Sequence, residues 1–428
     1  MSNSEGSLLA GLLRKSTKIE ADEMPAVIAA FVLFFAVFAG YFAVRPVRET
    51  VGTILGRQRV SDLFVVTWIV SIGVVMLYAT LVARIRRAVL LPAIYGGVAV
   101  LLAAIGVALK SNPQGTVMPA VFYVLISVLN LFIVSVFWSF LLEIFSKDQT
   151  KRLFGVIAVG GTAGALVGPV TTDLVVGSIG NSGVLFMGAG LFVVAILCQR
   201  TLIHQGTIFK ARQAGQTAAT SDDRPVGSAN PFAGLMLVLK SPYLLGIAVF
   251  MVLLSSVTTF LYLEQLDIVK RTFSDPSERT QIFSRLDYIV QSLTIVLQFF
   301  VTGRIAQRFG VVTLLTVVPL LMVVSFLGLA ASGTFAVLAV AMVLRRVGEY
   351  AFIRPGREML YSVVDTETKY KAKSFNDVPV YRGGDALSAQ VQDLLVHKGF
   401  SSSSIAVLGA VIAAAWGFTA WRLGRKVK

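Results

Sequence analysis

Long uninterrupted apolar blocks are the feature of this sequence that most restricts its fold. Each block runs for about 20 residues, the length that an α-helix needs to cross the hydrocarbon core of a bilayer. Only 14% of the 428 residues are charged and 56% are hydrophobic, with a mean hydropathy of +0.78. Soluble domains carry about 25% charged residues. A soluble enzyme is therefore excluded, as is a transmembrane barrel of short alternating strands, and we predict an all-α polytopic membrane protein.

Hydropathy, together with the repeat described below, predicts twelve transmembrane helices in two groups of six. The predicted spans cover residues 25–44, 62–83, 89–108, 119–145, 154–176, 183–199, 242–265, 283–302, 311–331, 334–353, 377–396 and 403–421. The expected organisation is a cytoplasmic segment at 1–24, six-helix bundles at 25–199 and 242–421, a flexible cytoplasmic linker at 200–241 and a basic tail at 422–428.

The two halves of the chain repeat. RIR at 84–86 matches RIAQR at 304–308, Lys151 matches Lys369, and the glycine pair at 160–161 matches the pair at 383–384, with offsets of 218 to 223 positions. The repeat also requires the eleventh span, which hydropathy alone would miss. Because each half has an even number of spans, the halves share one orientation. Such parallel repeats are the arrangement of major-facilitator transporters, whose substrate site lies at mid-membrane between the halves.

The distribution of Lys and Arg predicts that both termini are cytoplasmic. Most basic residues fall in segments that are inside when the N-terminus is inside. We expect a bacterial inner membrane, and attribute much of the net charge of +15 to topology rather than to nucleic-acid binding. Cys198, His204 and His397 supply no metal-ligand set. We expect no metal, no cofactor and, without a nucleophile–base set, no enzyme activity.

Charged side chains near or within spans need a partner, a water-filled cavity or a ligand. The first span ends in YFAVRPVRE at 41–49. Arg45 and Arg48 share a helix face if the helix continues past Pro46, and two guanidinium groups on one face suit a phosphate or carboxylate. The alternative is that an Arg–Glu pair involving Glu49 caps the helix end.

The seventh span ends in YLEQLDIVKR at 262–271. Glu264 and Asp267 share a face and could pair with the arginines of the first span as a latch that closes the cavity. Ordinary solvation of a helix end is the alternative. Lys270 adds a positive charge to this end of the helix.

The tenth and eleventh spans carry the densest charge. Arg345 and Arg346 lie inside an apolar segment and either line water or pair with Glu349. The eleventh span is too polar to face lipid and should line the pore. Its polar residues recur at helical spacing: Asp377, Tyr381, Arg382 and Asp385.

Glycines and isolated acids complete the candidates. Gly160, Gly164 and Gly168 form a small-residue face for close helix packing. These glycines are not a phosphate-binding loop, because that motif requires Lys at position 161, where this sequence has Gly. The single acids in or near spans are candidate proton sites, with Asp173 and Asp287 the better ones. The other two are Asp62 and Glu143.

The predicted cavity is positive, which favours an organic anion, plausibly phosphorylated. An empty cavity with uncompensated cations resists closure from water, whereas a bound anion permits it, so exchange follows without a coupling ion. The basic residues counted here are Arg45, Arg48, Lys270, Arg345, Arg346 and Arg382.

Four blocks of this sequence resemble the ATP/ADP carrier family of plastids and intracellular bacteria. The family motif LRDTKD is similar to VRPVRE at 44–49, and FWGF followed by DEAKR is similar to FWSF at 137–140 and DQTKR at 148–152. VEVTWKSK is similar to LEQLDIVK at 263–270. DPCKEMAY followed by DEDTKVKGK resembles RPGREMLY at 354–361 and DTETKYKAK at 365–373, the most specific of the four.

The resemblance implies exchange of ATP, ADP or related nucleotides across the bilayer, with binding roles for Arg45, Arg48, Glu264 and a basic residue of the eleventh span, approximately Arg382. Two alternatives remain open. One is a proton-coupled carrier of another phosphorylated or organic anion or amphiphile, which would require a membrane carboxylate such as Asp287. The other is a non-transporting membrane receptor or scaffold, which leaves the charges of the pore without a purpose.

Overall fold

The computed structural model describes residues 19–20, 22–85, 87–112, 115–214 and 234–427, and every regular element among them is helical. The α-helices are α1 Met24–Leu55, α2 Arg57–Arg84, α3 Arg87–Ser111, α4 Val117–Ile144, α5 Lys147–Ala214, α6 Leu235–Lys240, α7 Pro242–Thr272, α8 Pro276–Leu297, α9 Gly303–Ser332, α10 Phe335–Gly348, α11 Arg354–Leu360, α12 Thr366–Phe375, α13 Tyr381–His397 and α14 Ser402–Gly424.

Among the described residues, seven helices are long and apolar enough to cross a membrane, or eight when the bent pair Val117–Leu129 and Ile133–Ile144 counts as one span. Two of them are far too long to be single spans: Asp148–Thr207 in α5, and Pro276–Ser332, which runs from α8 through α9. Asp148–Thr207 has 60 residues. A straight helix of that length would measure about 90 Å, roughly three times the thickness of the hydrocarbon core.

Glycines break both overlong helices. Gly180 (φ 67°) interrupts α5 and Gly310 (φ 74°) interrupts α9. Only glycine adopts these positive φ angles without strain. Gly180 lies between the predicted spans 154–176 and 183–199, and Gly310 between 283–302 and 311–331. Each overlong segment therefore contains two lengths of helix, in agreement with the positions of the predicted spans.

The chain divides into two compact units. The first comprises Met1–Val47, Leu81–Met118 and Leu125–Arg224, and the second Arg48–Thr80, Pro119–Val124 and Pro225–Lys428. The second unit thus includes the end of α1, most of α2 and a short piece of α4 in addition to α6–α14.

Close packing of α5 against α1 organises the first unit. A Cβ atom added at Gly160, Gly164 or Gly168 would overlap backbone atoms of α1, so only glycine permits this approach. The packing role predicted for the three glycines agrees with this geometry. Phe34 of α1 also stacks on Phe137 of α4, with 3.9 Å between ring centroids.

The core of the second unit is built from α7, α9, α10 and α14. Trp416 is fully buried, and Gly409 of α14 lets Phe326 of α9 approach closely. Capping residues fix where the helices start: Ser241 accepts a hydrogen bond from Leu244 N at the beginning of α7.

Three π-helical segments interrupt the second unit, at Gln298–Thr302, Glu349–Ile353 and Asn376–Val380. The first two contact each other, since the Thr302 hydroxyl donates to the Ala351 carbonyl over 3.0 Å. π-Bulges are frequent at functional sites. Here they carry Glu349 and Asp377, two of the predicted cavity residues.

The predicted boundaries differ from the observed ones mainly around the linker. Helix α5 continues to Ala214, and α6 covers Leu235–Lys240, so both ends of the region 200–241 are helical. Residues 215–233 of the predicted linker, residues 1–18 and 21 of the predicted N-terminal segment and Lys428 of the tail lie outside the described residues. The predicted eleventh span is helical over 376–397, although its polarity keeps it out of the apolar set.

Candidate functional site

Arginines and carboxylates converge where α10 meets its π-helical continuation. Arg345 Nη1 lies 3.0 Å from Glu349 Oε2, and Arg354 Nη2 lies 3.3 Å from Glu349 Oε1. Arg345 also donates to the Thr258 hydroxyl of α7 over 3.2 Å. One carboxylate therefore orients two guanidinium groups within the second unit.

Helix α13 adds a second arginine–carboxylate pair. Arg382 Nη1 lies 3.4 Å from Asp385 Oδ2, and the Thr259 hydroxyl donates to Asp385 Oδ1 over 3.1 Å. Tyr381, at the start of α13, lies near the charged groups of Glu349, Asp385, Arg345 and Arg382. We call the six residues of this group the arginine cluster: Arg345, Glu349, Arg354, Tyr381, Arg382 and Asp385.

A further pair extends from the arginine cluster along α11. Arg357 Nη1 lies 3.3 Å from Asp377 Oδ1, and Glu349 also interacts electrostatically with Arg357. Lys373 and Glu358 form an ion pair at 2.7 Å beyond it. The predicted polar face of the tenth and eleventh spans is thus continuous in space.

A second network joins the start of α2 to the end of α7. Arg57 Nη2 lies 2.9 Å from Glu264 Oε1, and Arg57 Nε lies 2.7 Å from Asp267 Oδ2. Gln392 of α13 donates to the same Glu264 oxygen over 3.3 Å. The side chains of Arg57 and Glu264 are 8% and 3% exposed, whereas that of Asp267 is 45% exposed. We call these four residues the Arg57 network.

The structure corrects the partner predicted for Glu264 and Asp267. These carboxylates pair with Arg57 and not, as expected, with Arg45 or Arg48. Arg48 instead contacts Glu49, with 2.5 Å between Nη2 and Oε1, and its guanidinium lies 5.3 Å from the centroid of the Tyr123 ring.

Helix α1 continues through Pro46 to Leu55, so Arg45 and Arg48 share a helix face as predicted. Arg45 is half-buried in the first unit, 6.0 Å from the centroid of the Phe42 ring. Lys270 is exposed near the end of α7, and its carbonyl accepts a hydrogen bond from Arg279.

Asp287 of α8 and Arg346 of α10 form the most deeply buried ion pair that the structure describes. Arg346 Nη1 lies 2.5 Å from Asp287 Oδ1, and the side chains are 5% and 2% exposed. Arg346 Nε and Nη2 make no hydrogen bond within the described part of the chain. Arg346 was predicted to line the cavity, but it is buried on a different face of α10 from Arg345.

The predicted number of unpaired basic residues in the cavity is therefore wrong. Arg48, Arg345, Arg346 and Arg382 were counted as uncompensated cations, yet each has a carboxylate partner in the structure. For Arg345 the structure agrees with the alternative given above, an ion pair with Glu349. The surplus positive charge is smaller than expected: three arginines of the arginine cluster face two carboxylates.

The sequence analysis did not single out several polar residues that make buried contacts in the second unit. Arg57 was not among the predicted site residues, although it pairs with two carboxylates. Arg279 is buried and donates from Nη1 to the Thr53 hydroxyl over 3.0 Å. The available signal was the i, i+3 spacing of Glu264 and Asp267, which calls for a base on another helix. Among the described residues, no group of three or more His, Cys, Asp or Glu could hold a metal ion.

Comparison with known proteins identifies transporters. ADP,ATP carrier protein 1 of Chlamydia trachomatis serovar D is 22% identical over 89% of this chain and 84% of its own length. ADP,ATP carrier protein 1 of Chlamydia muridarum is also 22% identical, over 92% of this chain and 87% of its own.

Solved transporter structures share the fold. The nucleoside transporter NupG matches with a TM-score of 0.66 and 15% identity over 94% of this chain and 99% of its own. The POT family transporter PepTSo matches with a TM-score of 0.63 and 14% identity over 96% of this chain and 99% of its own. The model of a family described as TLC ATP/ADP transporter matches residues 115–426. The chain therefore belongs to the TLC ATP/ADP transporter family.

Proposed function

We propose that this protein exchanges nucleotides across a membrane, in the manner of an ATP:ADP antiporter. The observation that carries the proposal is the match of residues 115–426 to the family, in a chain whose arginines lie among membrane helices. Relatives from two Chlamydia species are named ADP,ATP carrier proteins. Membership in a transporter family also agrees with the prediction that the chain is not an enzyme.

The arginine cluster is the proposed binding site for the phosphates. A guanidinium group presents a planar fork of donors that matches phosphate oxygens. Glu349 and Asp385 hold Arg345, Arg354 and Arg382 in position while the site is empty, and the phosphates compete with these carboxylates for the same donors. Tyr381 and Asp377 belong to the same polar face. Arg45 and Arg48 are further proposed contacts, as the family resemblance implies.

Charge balance supplies a reason for exchange. The three arginines of the cluster exceed its two carboxylates by one positive charge. Closing an empty site from water would bury that charge in a low-dielectric environment at considerable cost. A bound anionic nucleotide neutralises it, so the switch between the two sides of the membrane requires substrate in both directions.

The Arg57 network is a proposed gate. Arg57 comes from the first predicted six-helix half, and Glu264, Asp267 and Gln392 come from the second. Alternating access requires contacts of this kind to break and re-form in each cycle. Asp267 is partly exposed, so water reaches one side of the network. Glu49 lies near the C-terminal end of α1 and Lys270 near the C-terminal end of α7. We include both in the proposed gating region.

The proposed architecture has twelve transmembrane helices in two parallel six-helix repeats of the major-facilitator type, at 25–199 and 242–421. The breaks at Gly180 and Gly310, each between two predicted spans, support the number of spans in each half. We place both termini in the cytoplasm and the protein in a bacterial inner membrane. The excess of Lys and Arg in the segments assigned to the inside supports this orientation.

Reconstituted transport tests the proposal. Purified protein in liposomes loaded with ADP is given labelled ATP outside, with empty liposomes in parallel. We expect uptake that requires internal ADP. Arg382→Ala should abolish most uptake and Arg382→Lys should retain part of it, because Lys keeps the charge and loses the fork. Arg308→Ala, an exposed arginine at a distant position on α9, is the matched control.

Other outcomes separate the alternatives. Uptake of ATP driven by a pH gradient without internal nucleotide would favour the proton-coupled carrier. Absence of uptake for every nucleotide and phosphorylated anion tried, in folded and inserted protein, would favour the receptor or scaffold. Equal uptake by Arg382→Ala and Arg308→Ala would remove the arginine cluster from the binding site while leaving exchange intact.

A further inference from the structure

Helix α6 lies directly before α7 and is fixed in place at both ends. A Cβ atom at Gly234, just before α6, would overlap the Lys371 carbonyl of α12, so the two segments touch backbone to backbone. Ser241 follows α6 and caps α7. Val238 faces the core of the second unit and is 2% exposed. This short helix is therefore held against α7 and α12.

The opposite side of α6 is apolar and uncovered by the described residues. Leu235, Met236 and Leu239 are 38%, 60% and 58% exposed. Lys240 ends the helix, immediately before the apolar span of α7 begins at Pro242. A short helix with exposed apolar side chains and a terminal lysine is suited to the boundary between lipid headgroups and acyl chains.

A cavity of about 590 Å³ opens beside α6. Leucine and valine side chains form part of its wall, and its polar lining residues come from α6, α7, α12, the residues flanking these helices and the segment after α14. These polar residues are Lys240, Ser241, Tyr243, Asp365, Thr368 and Lys426. All of them belong to the second unit.

The charge of the cavity favours an anion. Asp365 is engaged as the N-cap of α12, where it accepts a hydrogen bond from Thr368 N over 2.9 Å. Hydrogen bonding by Thr368 lowers the pKa of the exposed Asp365 carboxyl, which favours its ionised form. Lys240 and Lys426 still leave one positive charge in excess. Lys426 Nζ lies 5.8 Å from the centroid of the Tyr243 ring, which keeps the ammonium group over the cavity wall.

We propose that this cavity binds the phosphate-bearing headgroup of an anionic phospholipid, with the acyl chains lying along Leu235, Met236 and Leu239. The two lysines contact the phosphodiester, the Ser241 hydroxyl donates a hydrogen bond to it, and the acyl chains pack along the exposed apolar face of α6. A soluble phosphate would use the lysines but would leave the apolar face unoccupied. The combination of the two surfaces identifies a lipid.

The site has a structural consequence for transport. Bound lipid would join α6, α7 and α12, and α12 continues through the π-helical segment Asn376–Val380 into α13, which carries Arg382. The inference is independent of the identity of the transported solute. It concerns the stability of this part of the second unit and not the chemistry of the arginine cluster.

Native mass spectrometry and thermal unfolding of the full chain in detergent test the inference. The probes are phosphatidylglycerol, phosphatidylcholine and glycerol phosphate. We expect phosphatidylglycerol to raise the melting temperature and to remain bound as a retained lipid, with little effect from the other two. The double variant Lys240→Gln with Lys426→Gln should lose most of the shift and bind phosphatidylglycerol roughly 30-fold more weakly, the effect expected for two lysines at a lipid surface.

The matched control is Lys110→Gln with Lys398→Gln, which removes the same charge from two exposed positions away from this cavity. It should keep the full response to phosphatidylglycerol. An equal response of both double variants would overturn the proposal, because attraction would then depend on net charge alone. Glycerol phosphate that raises the melting temperature as much as the lipid would also overturn it, since the apolar face would have no role. Neither outcome affects the proposal of nucleotide exchange.

Discussion

The guanidinium of Arg57 donates a hydrogen bond to the carboxylate of Glu264 over 2.9 Å, although 207 positions separate the two residues. Both side chains are almost fully buried, and Arg57 Nη1 makes no hydrogen bond within the described residues. A buried charge of this kind depends on its partner, because desolvation is repaid only while the pair is intact. Removing one partner of this ion pair would therefore leave an uncompensated buried charge and destabilise the protein.

We expect Arg57→Ala to lower the melting temperature of the purified protein more than the double variant Arg57→Ala with Glu264→Ala. The single variant leaves Glu264 buried with only Gln392 as a partner, whereas the double variant removes both charges. The coupling free energy from the four-member cycle should be about 1–3 kcal/mol, typical of residues in one ion-pair network. Thermal unfolding in detergent measures it.

Asp267→Ala serves as the comparison, because this carboxylate is 45% exposed and water can replace its partner. Its loss should cost less than that of Glu264. Strictly additive effects of Arg57→Ala and Glu264→Ala would show that the pair makes no net contribution to the conformation described here.

The ion pair between Asp287 and Arg346 should behave as a structural pair. Asp287→Ala leaves Arg346 buried and uncompensated, so we expect a loss of about 3–5 kcal/mol of stability. Replacement of both residues by apolar side chains of similar size, Asp287→Leu with Arg346→Met, should restore most of it. Denaturation of the three proteins under identical conditions gives the comparison.

The same variants address proton coupling. If Asp287 carried the proton, the apolar double variant would be stable but unable to use a pH gradient. We expect its nucleotide exchange to persist, because the pair supplies charge balance and no ligand contact. Loss of transport together with restored stability would assign Asp287 a role in coupling.

Arg345 and Arg346 are adjacent in sequence but should differ in function. Arg345 lies in the arginine cluster with Glu349, where we place the phosphates of the substrate. Arg345→Gln should raise the KM for nucleotide by about 10- to 100-fold, the range expected for losing one hydrogen bond to a charged group. The melting temperature should change little. Arg346→Gln should show the reverse pattern, with reduced stability and a nearly normal KM in the surviving protein.

Sequence patterns predicted the helical membrane class and the polar faces of the tenth and eleventh spans because both depend on local periodicity. Glu349, Tyr381, Arg382 and Asp385 converge because each faces the interior of the second unit. The prediction of the partner of Glu264 was wrong for a physical reason. Periodicity gives the face of a helix but not the height at which a neighbouring helix meets it. Arg57 begins α2 after the turn at Gly56 (φ 82°). It lies nine residues after Arg48, about two and a half helical turns, and Glu264 contacts α2 at Arg57 instead of α1 at Arg48.

The overestimate of uncompensated charge has a related origin. Basic residues were counted along the chain, but ion pairs join helices that are distant in sequence, as with Asp287 and Arg346. The sequence also gives no sign of the π-helical segments, since their register depends on tertiary contacts such as that between Thr302 and Ala351. Those segments determine where Glu349 and Asp377 point.

Two glycines of α5 provide the last prediction. Gly164 faces the backbone of α1, where an added Cβ would overlap the Phe35 carbonyl, while Gly155 has open space around its Cβ position. Gly164→Ala should therefore force the helices apart and destabilise the protein by about 1–3 kcal/mol, the usual cost of overpacking. Gly155→Ala should be neutral or stabilising by up to about 1 kcal/mol, because Ala is the better helix former. Thermal unfolding of the two variants compares the same chemical change in the same helix. Equal effects would mean that helix propensity, and not the approach of α5 to α1, explains the small residues at these positions.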